Sequence, residues 1–340
     1  MTKMKKRDDG RYLKTVKDAR TGKRLYFYGS SEREVQQKIL QYTQKVETGR
    51  PFEEVAEEWY NENMPTLAIQ SQKSYKPCYQ SALEEFSGES IKQIKPKDIN
   101  SYLRKLGKMG YSEKSVTQRR LVLNLIFKHA VISGDLEINP CASAMTPKGL
   151  PKNQRHAASE EDEQKVKDNA DVWMLPFIAL MTGMRRGEIL ALQWRDIDFK
   201  GNTIDVTKSV CYDNDKPIVK CPKTAKGIRL VPLLNPLKEK LLAIPDKNPD
   251  DFIISDDGKK PLTNRRYQTL SRNFRRVTGT KCTAHNLRHS FATVAIENNI
   301  NPKVVQEILG HKQLSTTMDI YTDLRKKSIT SAAEALNKII

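Results

Sequence analysis

The sequence predicts a multidomain α+β protein in three parts. These are a small N-terminal β-sheet with a helix, an all-helical bundle, and a mostly helical third domain holding a small antiparallel sheet. Three observations predict it. A chain of 340 residues is too long for one ordinary hydrophobic core. The apolar pattern changes along the chain, from short strand-like runs to long stretches at helical spacing, and short runs return after residue 196. Two breaks rich in proline, glycine and basic residues, Gly49-Arg-Pro51 and residues 145–156, interrupt it. A hydrophobic fraction of 38% with 29% charged residues belongs to a folded chain rather than a disordered one.

The first part spans residues 1–48. Arg11-Tyr-Leu-Lys-Thr-Val16 reads as a strand, Asp18-Ala-Arg-Thr-Gly22 as a turn and Lys23-Arg-Leu-Tyr-Phe-Tyr28 as the returning strand. Ser31 caps a helix running toward Lys45, with Glu34 in capping-box position. Residues 1–50 hold 14 Lys or Arg against 6 Asp or Glu. Basic strands interleaved with Tyr12, Tyr26, Phe27 and Tyr28 suit a sheet laid on a polyanion. The same aromatics also suit the core of a tiny domain, and both hold if alternate residues face opposite ways.

The second part, residues 52–144, reads as a bundle of four or five helices. Val55, Ala56, Trp59 and Tyr60 form one apolar stripe, and Tyr75, Tyr79, Leu83 and Phe86 a second. Pro96 and Asp98 open a third helix containing Ile99, Leu103 and Leu106. Ser112 caps a fourth, with Val116, Leu123, Ile126, Phe127, Ala130 and Val131 at helical spacing before Gly134 ends it. Residues 145–156 read as a linker.

The third part, residues 157–340, opens at Ser159, which caps a helix through Glu160, Glu161 and Asp162. It stays helical to about Leu192. Ile197–Phe199, Thr203–Val206 and Arg229–Val231 suggest a small antiparallel sheet, and helices return from Pro236 to the end. The last of them is an amphipathic tail with Leu324, Ile329, Ala332, Ala333, Ala335, Leu336 and Ile339 on one stripe.

Charge narrows the function. A net charge of +18 favours a polyanionic partner, because each neutralised phosphate releases counterions. The five cysteines, Cys78, Cys141, Cys211, Cys221 and Cys282, are odd in number and include no C-x-x-C pair, so neither a disulfide framework nor a zinc knuckle is expected. No apolar run approaches the roughly 18 residues of a membrane span. The basic start MTKMKKRDDGRYLK has no apolar stretch behind it, so no signal peptide is expected. A cytoplasmic protein is the expectation.

Five pieces of the third part place polar residues in unusual settings. In Thr182-Gly-Met-Arg-Arg-Gly-Glu188 an apolar helix runs into adjacent arginines. A buried-end arginine is costly unless it is paired or faces an anion, and Glu188 stands three residues after Arg185. A structural Arg–Glu pair and an anion site read equally well there. Pro222-Lys-Thr-Ala-Lys-Gly-Ile-Arg229 reads as a hairpin tip whose lysine could reach a phosphate, or simply be solvated. In His285-Asn-Leu-Arg-His289, His285 and Arg288 share a helix face. The His285–His289 spacing also suits a metal, but no glutamate follows His285 and no third ligand is evident. Gly310 ends a helix capped by Asn301-Pro302 and leaves His311 at the turn, and Tyr321 follows ten residues later. Asp196 and Asp198 could suggest a metal-dependent nuclease, but their alternation with Ile197 and Phe199 reads as a solvent-facing strand edge.

Taken in order these pieces read Arg, Lys, His-x-x-Arg, His, Tyr. The segments TGMRRGE, PKTAKGIRLVPL, HNLRHSFAT and LGHKQLSTTMDIY resemble the signature boxes of the tyrosine recombinase (phage integrase) family in order and spacing. The resemblance of these boxes covers roughly residues 160–330. The bundle is similar to the family's core-site-binding domain. The first 48 residues look like the arm-site-binding domain of integrases from phages and conjugative transposons of Gram-positive bacteria. The resemblance implies that Arg185, Lys223, His285, Arg288, His311 and Tyr321 are catalytic, with Glu188 supporting Arg185. The family's T-G-x-R order selects Arg185 over Arg186, and its lysine beside the threonine selects Lys223 over Lys226. It implies a DNA breaking and rejoining enzyme without cofactor or metal, acting on double-stranded attachment sites as a homotetramer on two duplexes. An excisionase or a host DNA-bending protein is the implied accessory. It makes Lys5-Lys-Arg7 part of a DNA-contacting arm rather than a nuclear signal. The alternatives are a type IB topoisomerase and a DNA-binding regulator without catalysis.

Overall fold

The computed structural model describes residues 5–17, 24–152, 156–221 and 227–310. The chain is mixed α/β with small antiparallel sheets, and it divides into two compact units, Met1–Asn153 and Gln154–Ile340.

The first unit opens with a three-stranded antiparallel sheet in the order β1 (Lys5–Lys6), β2 (Tyr12–Lys17), β3 (Arg24–Gly29). Sequence reading expected two strands. The third is a pair of lysines, whose pairing with Tyr12 and Leu13 leaves no apolar signature. The expected turn at Asp18–Gly22 lies outside the described residues. Strand alternation sorts the aromatics. Phe27 packs on Tyr42 with ring centroids 5.4 Å apart, whereas Tyr28 lies against the guanidinium groups of Arg7 and Arg11, each at 5.7 Å. Tyr42 belongs to α1 (Glu32–Thr48), which packs on β2 and β3. The Ser31 hydroxyl accepts from the Glu34 N–H at 3.2 Å, but the Glu34 carboxylate accepts from Ser30, one residue earlier than a capping box would have it.

The bundle follows as α2 (Phe52–Asn63), α3 (Ile69–Phe86), α4 (Pro96–Lys108) and α5 (Glu113–Ile132). Phe52 is fully buried between the rings of Phe86 and Phe127, at 5.4 and 5.9 Å. Truncating such a ring costs about 3–5 kcal/mol. The α3 stripe is rotated from expectation. Cys78, Ala82 and Phe86 are the buried face, while Tyr75, Tyr79 and Leu83 pack at its margin. Arg50 bonds Glu58 at 2.7 Å and Asp135 at 3.2 Å, tying the start of α2 to the turn after α5.

The second unit begins with α6 (Glu160–Asp168), capped by Ser159, whose hydroxyl accepts from the Asp162 N–H at 3.1 Å. Then come the fully apolar α7 (Met174–Thr182) and the short α8 (Arg186–Leu190). The strands β4 (Ile197–Asp198), β5 (Thr203–Val206) and β8 (Arg229–Pro232) form one antiparallel sheet in that order. A second hairpin, β6 (Ser209–Asp213) with β7 (Lys216–Lys220), is nested between β5 and β8 and was not expected. Its tip is at Asn214-Asp215, where Asn214 takes φ +51°. The expected hairpin tip at Pro222–Arg229 falls largely on residues outside the described ones, and the strands on either side of it, β7 and β8, belong to different sheets.

Asp196 also departs from the expected solvent-facing edge. It is buried at the end of a 3₁₀ turn, accepts from the Gln193 N–H at 2.9 Å and pairs with Lys208 at 3.0 Å. Asp198 is exposed and caps the turn at Lys200 and Gly201. Among the described residues four helices follow the sheets: α9 (Asn235–Leu242), α10 (Asn264–Thr278), α11 (Ala284–Glu297) and α12 (Pro302–Leu309). Helix α11 lies along α7, and α12 touches both α11 and β8. This arrangement brings the arginine-bearing ends of separate elements together. The five cysteines form no disulfide.

Candidate active site

The site is assembled at the ends of helices. Helix α7 stops at Gly183, which takes φ +63° in the left-handed region. A Cβ there would meet Phe291 at 2.6 Å and Leu309 at 2.8 Å, so the turn needs glycine for both its conformation and its close packing. Thr182 is buried and serves the same turn. Its hydroxyl donates to the Ile178 carbonyl at 2.6 Å and accepts from the Met184 N–H at 3.2 Å. The next helix starts at once, with Arg185 at its N-cap and Glu188 in its first turn.

Arg185 is 44% exposed at the side chain. Its Nη1 donates to Glu188 Oε1 at 2.9 Å and its Nη2 to the Gly310 carbonyl at 2.9 Å. Glu188 also accepts from the Arg185 backbone N–H at 2.8 Å. The sequence left a structural pair and an anion site both open. The geometry contains the pair, and it leaves much of the guanidinium facing solvent.

Arg288 is the opposite case. It is 4% exposed, and its two terminal nitrogens donate to the carbonyls of Gly183 at 2.6 Å and Leu309 at 2.7 Å. Burial and the neighbouring positive charge of Arg185, partly offset by Glu188, push its guanidinium down to about 9. It is still protonated at neutral pH. His285 stands three residues earlier on α11 as expected, and its Nε2 lies 3.1 Å from the Nε2 of His289. Arg186, the rival to Arg185, stacks instead on the Tyr267 ring at 4.8 Å.

The structure thus brings Arg185, Glu188 and Arg288 around one helix end, that of α12, immediately before His311. Lys223, His311 and Tyr321 lie outside the described residues. Gly310 ends α12 with φ +64°, as its place after Leu309 suggested.

One member of the cluster was missed. Arg229, the first residue of β8, is 6% exposed at the side chain and forks onto Glu188, which is 7% exposed. The distances are 3.1 Å to Oε1 and 2.8 Å to Oε2, and Arg229 Nε donates to the Ile308 carbonyl at 2.5 Å. Burial alone would push the Glu188 carboxyl up. The hydrogen bonds and charge of Arg229, aided by Arg185, win and hold it below the usual carboxylate range. The available signal was an arginine opening the strand Arg-Leu-Val-Pro, the same kind of misplaced charge that singled out Arg185.

No ion is needed to explain this cluster, whose carboxylate is matched by arginines. Among the described residues one group has metal-ligand geometry, Glu58, Glu62 and His129 of the bundle. Glu58 there is already bonded to Arg50.

Comparison with known proteins adds sequence and fold kinship. Residues 150–328, more than half of the chain, match the phage integrase family. The chain is 27% identical to the "Tyrosine recombinase XerC-like" protein of Caldanaerobacter subterraneus subsp. tengcongensis, over 93% of this chain and 92% of that one. It is 27% identical to the ICEBs1 integrase of Bacillus subtilis, over 75% and 74% of the two chains. The fold is similar to that of the Tn1549 transposon integrase solved with transposon right end DNA. The TM-score is 0.66 at 18% identity, covering 84% of this chain and all of that one. The chain belongs to the phage integrase family of tyrosine recombinases.

Proposed function

We propose that this protein is a site-specific DNA recombinase that cuts and rejoins DNA through a 3′-phosphotyrosine at Tyr321, integrating and excising a mobile element. The observation that carries the reading is the convergence of Arg185 and Arg288 on one helix end, in a chain of this family. A phosphodiester is anionic and repels an anionic nucleophile. Two guanidinium groups on its non-bridging oxygens offset that repulsion and stabilise the charge that grows in the transition state.

The Tyr321 phenol, with an ordinary pKa of about 10, loses its proton as its oxygen attacks phosphorus in line. The Tyr–O–P bond forms, the P–O5′ bond breaks, and Lys223 protonates the departing 5′ oxygen. His285 and His311 supply hydrogen bonds and proton traffic, and Glu188 orients Arg185. A 5′-hydroxyl from another strand then reverses the step. The covalent linkage keeps the energy of the cut bond, so neither ATP nor metal is required.

In this reading residues 1–48 bind arm sites and residues 52–144 core sites. Residues 145–156 link them to the catalytic domain, 157–340, whose tail helix docks on a neighbouring protomer. Support for the arm comes from the cations of Lys6, Arg7 and Arg11 set against Tyr12 and Tyr28. The working assembly is a homotetramer on two duplexes in the bacterial cytoplasm, and an excisionase or a host DNA-bending protein sets its direction. Among the described residues no helix is long and apolar enough to cross a membrane.

The test uses the full-length chain and a duplex selected on it from a random-sequence library. Strand exchange between two such duplexes, in excess chelator and without nucleotide, is the expected outcome. Relaxation of supercoiled DNA without exchange would point to a type IB topoisomerase. Binding without cleavage would point to a regulator.

A further inference from the structure

The Glu188 carboxylate is saturated. Oε1 accepts from Arg185 Nη1 and Arg229 Nη1, and Oε2 accepts from the Arg185 N–H and Arg229 Nη2. An ionised carboxylate offers about four acceptor sites, and all are used here. The two arginines differ in freedom. Arg229 is as buried as Glu188 and is held by the two carboxylate oxygens and the carbonyls of Ile308 and Gly227. Arg185 is substantially exposed.

A second pattern coincides with the first. Ile308 and Leu309, the last residues of α12, and its C-cap Gly310 present three consecutive carbonyls before His311. Arg229 takes the first, Arg288 the second and Arg185 the third. Three arginines from β8, α11 and the start of α8 therefore hold one helix end.

Charge explains why the third arginine matters. A buried Glu188 facing Arg185 alone would form a closed, neutral pair and bind the guanidinium needed for phosphate. Arg229 supplies a matching positive charge that stays in place. The cluster of three arginines and one glutamate then keeps two net positive charges for a transition state that carries two negative ones.

We propose that Arg229 is a positioning residue of the active site. It neutralises Glu188 so that Arg185 can turn onto a DNA phosphate, and it clamps the end of α12 so that the segment entering His311 stays in register with Arg288. The proposal rests on the recombinase reading above but assigns a role to a residue that reading does not use. Arg229 acts through Glu188 and α12 and does not itself touch the phosphate.

The test measures single-turnover formation of the covalent adduct by the full-length chain, at saturating concentration of a nicked duplex built from the library-selected site. Arg229→Met is expected to lower that rate by about 10–100-fold, less than loss of a direct phosphate donor, with the DNA Kd changed by less than about threefold. Arg229→Lys keeps the charge without the fork and should fall between wild type and Arg229→Met. The double variant Arg229→Met/Glu188→Gln removes the buried carboxylate as well and should recover at least about tenfold over Arg229→Met.

The pH profile is a further readout. Without Arg229, burial raises the Glu188 carboxyl, and its protonation as pH falls releases Arg185. Cleavage by Arg229→Met should therefore improve toward acid pH relative to wild type. A wild-type rate in Arg229→Met overturns the proposal. So does a double variant no faster than Arg229→Met together with an unchanged pH profile, which would make Arg229 merely structural. If Arg229→Met fails to fold, shown by its melting curve, the Arg229→Lys and double variants carry the same ordering. An adduct that persists in Tyr321→Phe contradicts the recombinase reading instead. The ordering of the Arg229 variants still decides the proposal then, since it concerns the phosphate-binding arginines whichever group attacks.

Discussion

Arg288 and Arg185, the two proposed phosphate-binding arginines, are held by the fold in two different ways. Arg288 is buried with two carbonyl partners, and among the described residues no carboxylate forms an ion pair with it. Arg185 is paired but exposed. A charge held in a dry, fixed site acts strongly on a nearby phosphate, whereas an exposed one can move to meet it. Replacing either by alanine should therefore lower adduct formation by about 10²–10³-fold. DNA affinity, spread over many basic contacts, should change only a few-fold. Gel-shift titration and single-turnover cleavage on the same duplex check both halves, and cleavage retained in either variant would exclude that arginine. Burial lowers the Arg288 guanidinium from its ordinary value without discharging it at neutral pH.

At the scale of elements, the site depends on how α7 ends. Gly183 supplies a left-handed turn, close packing against Phe291 and Leu309, and the carbonyl that holds Arg288. Gly183→Ala should cost about 1–3 kcal/mol of stability through backbone strain and crowding. It should also reduce cleavage at temperatures where the variant is still folded. Denaturant unfolding checks the first effect, and an unchanged midpoint would show that the turn adapts. Other helix ends were legible beforehand. Ser112, Ser159, Asn301 and Gly310 announce caps chemically, whereas the break at Gly183 falls inside a stretch that was expected to stay helical to about Leu192. The nested β6–β7 hairpin was not legible either. Val210 and Tyr212 alternate clearly, but the other arm is Lys-Pro-Ile-Val-Lys, half exposed and short. Asp196 misled because its burial depends on Lys208, twelve residues on, and pairings at that distance leave no periodic trace. Arg229 was passed over for a related reason, although it opens an apolar strand. A strand-opening arginine reads as an exposed edge charge until the fold sets it beside Glu188.

In the proposed assembly one protomer cuts and its neighbours control the cut. The amphipathic tail expected from Leu324, Ile329, Ala332, Ala333, Ala335, Leu336 and Ile339 follows Tyr321 in the sequence and lies outside the described residues. A short terminal helix gains little alone and needs a groove for its apolar face. If that groove is on another protomer, deleting residues 326–340 should leave DNA binding intact while weakening higher-order complexes and strand exchange. A large drop in the melting temperature of the DNA-free monomer would instead place the helix on its own domain. The central claim, that Tyr321 is the nucleophile, has a more direct test. Full-length protein is incubated with a nicked duplex built from its selected site, denatured, and analysed by gel and by mass spectrometry of the DNA-linked peptide. The expected result is a denaturant-resistant adduct on the peptide containing Tyr321, formed in excess chelator and absent from Tyr321→Phe. An adduct that survives in Tyr321→Phe, or a linkage mapped to another residue, would contradict it.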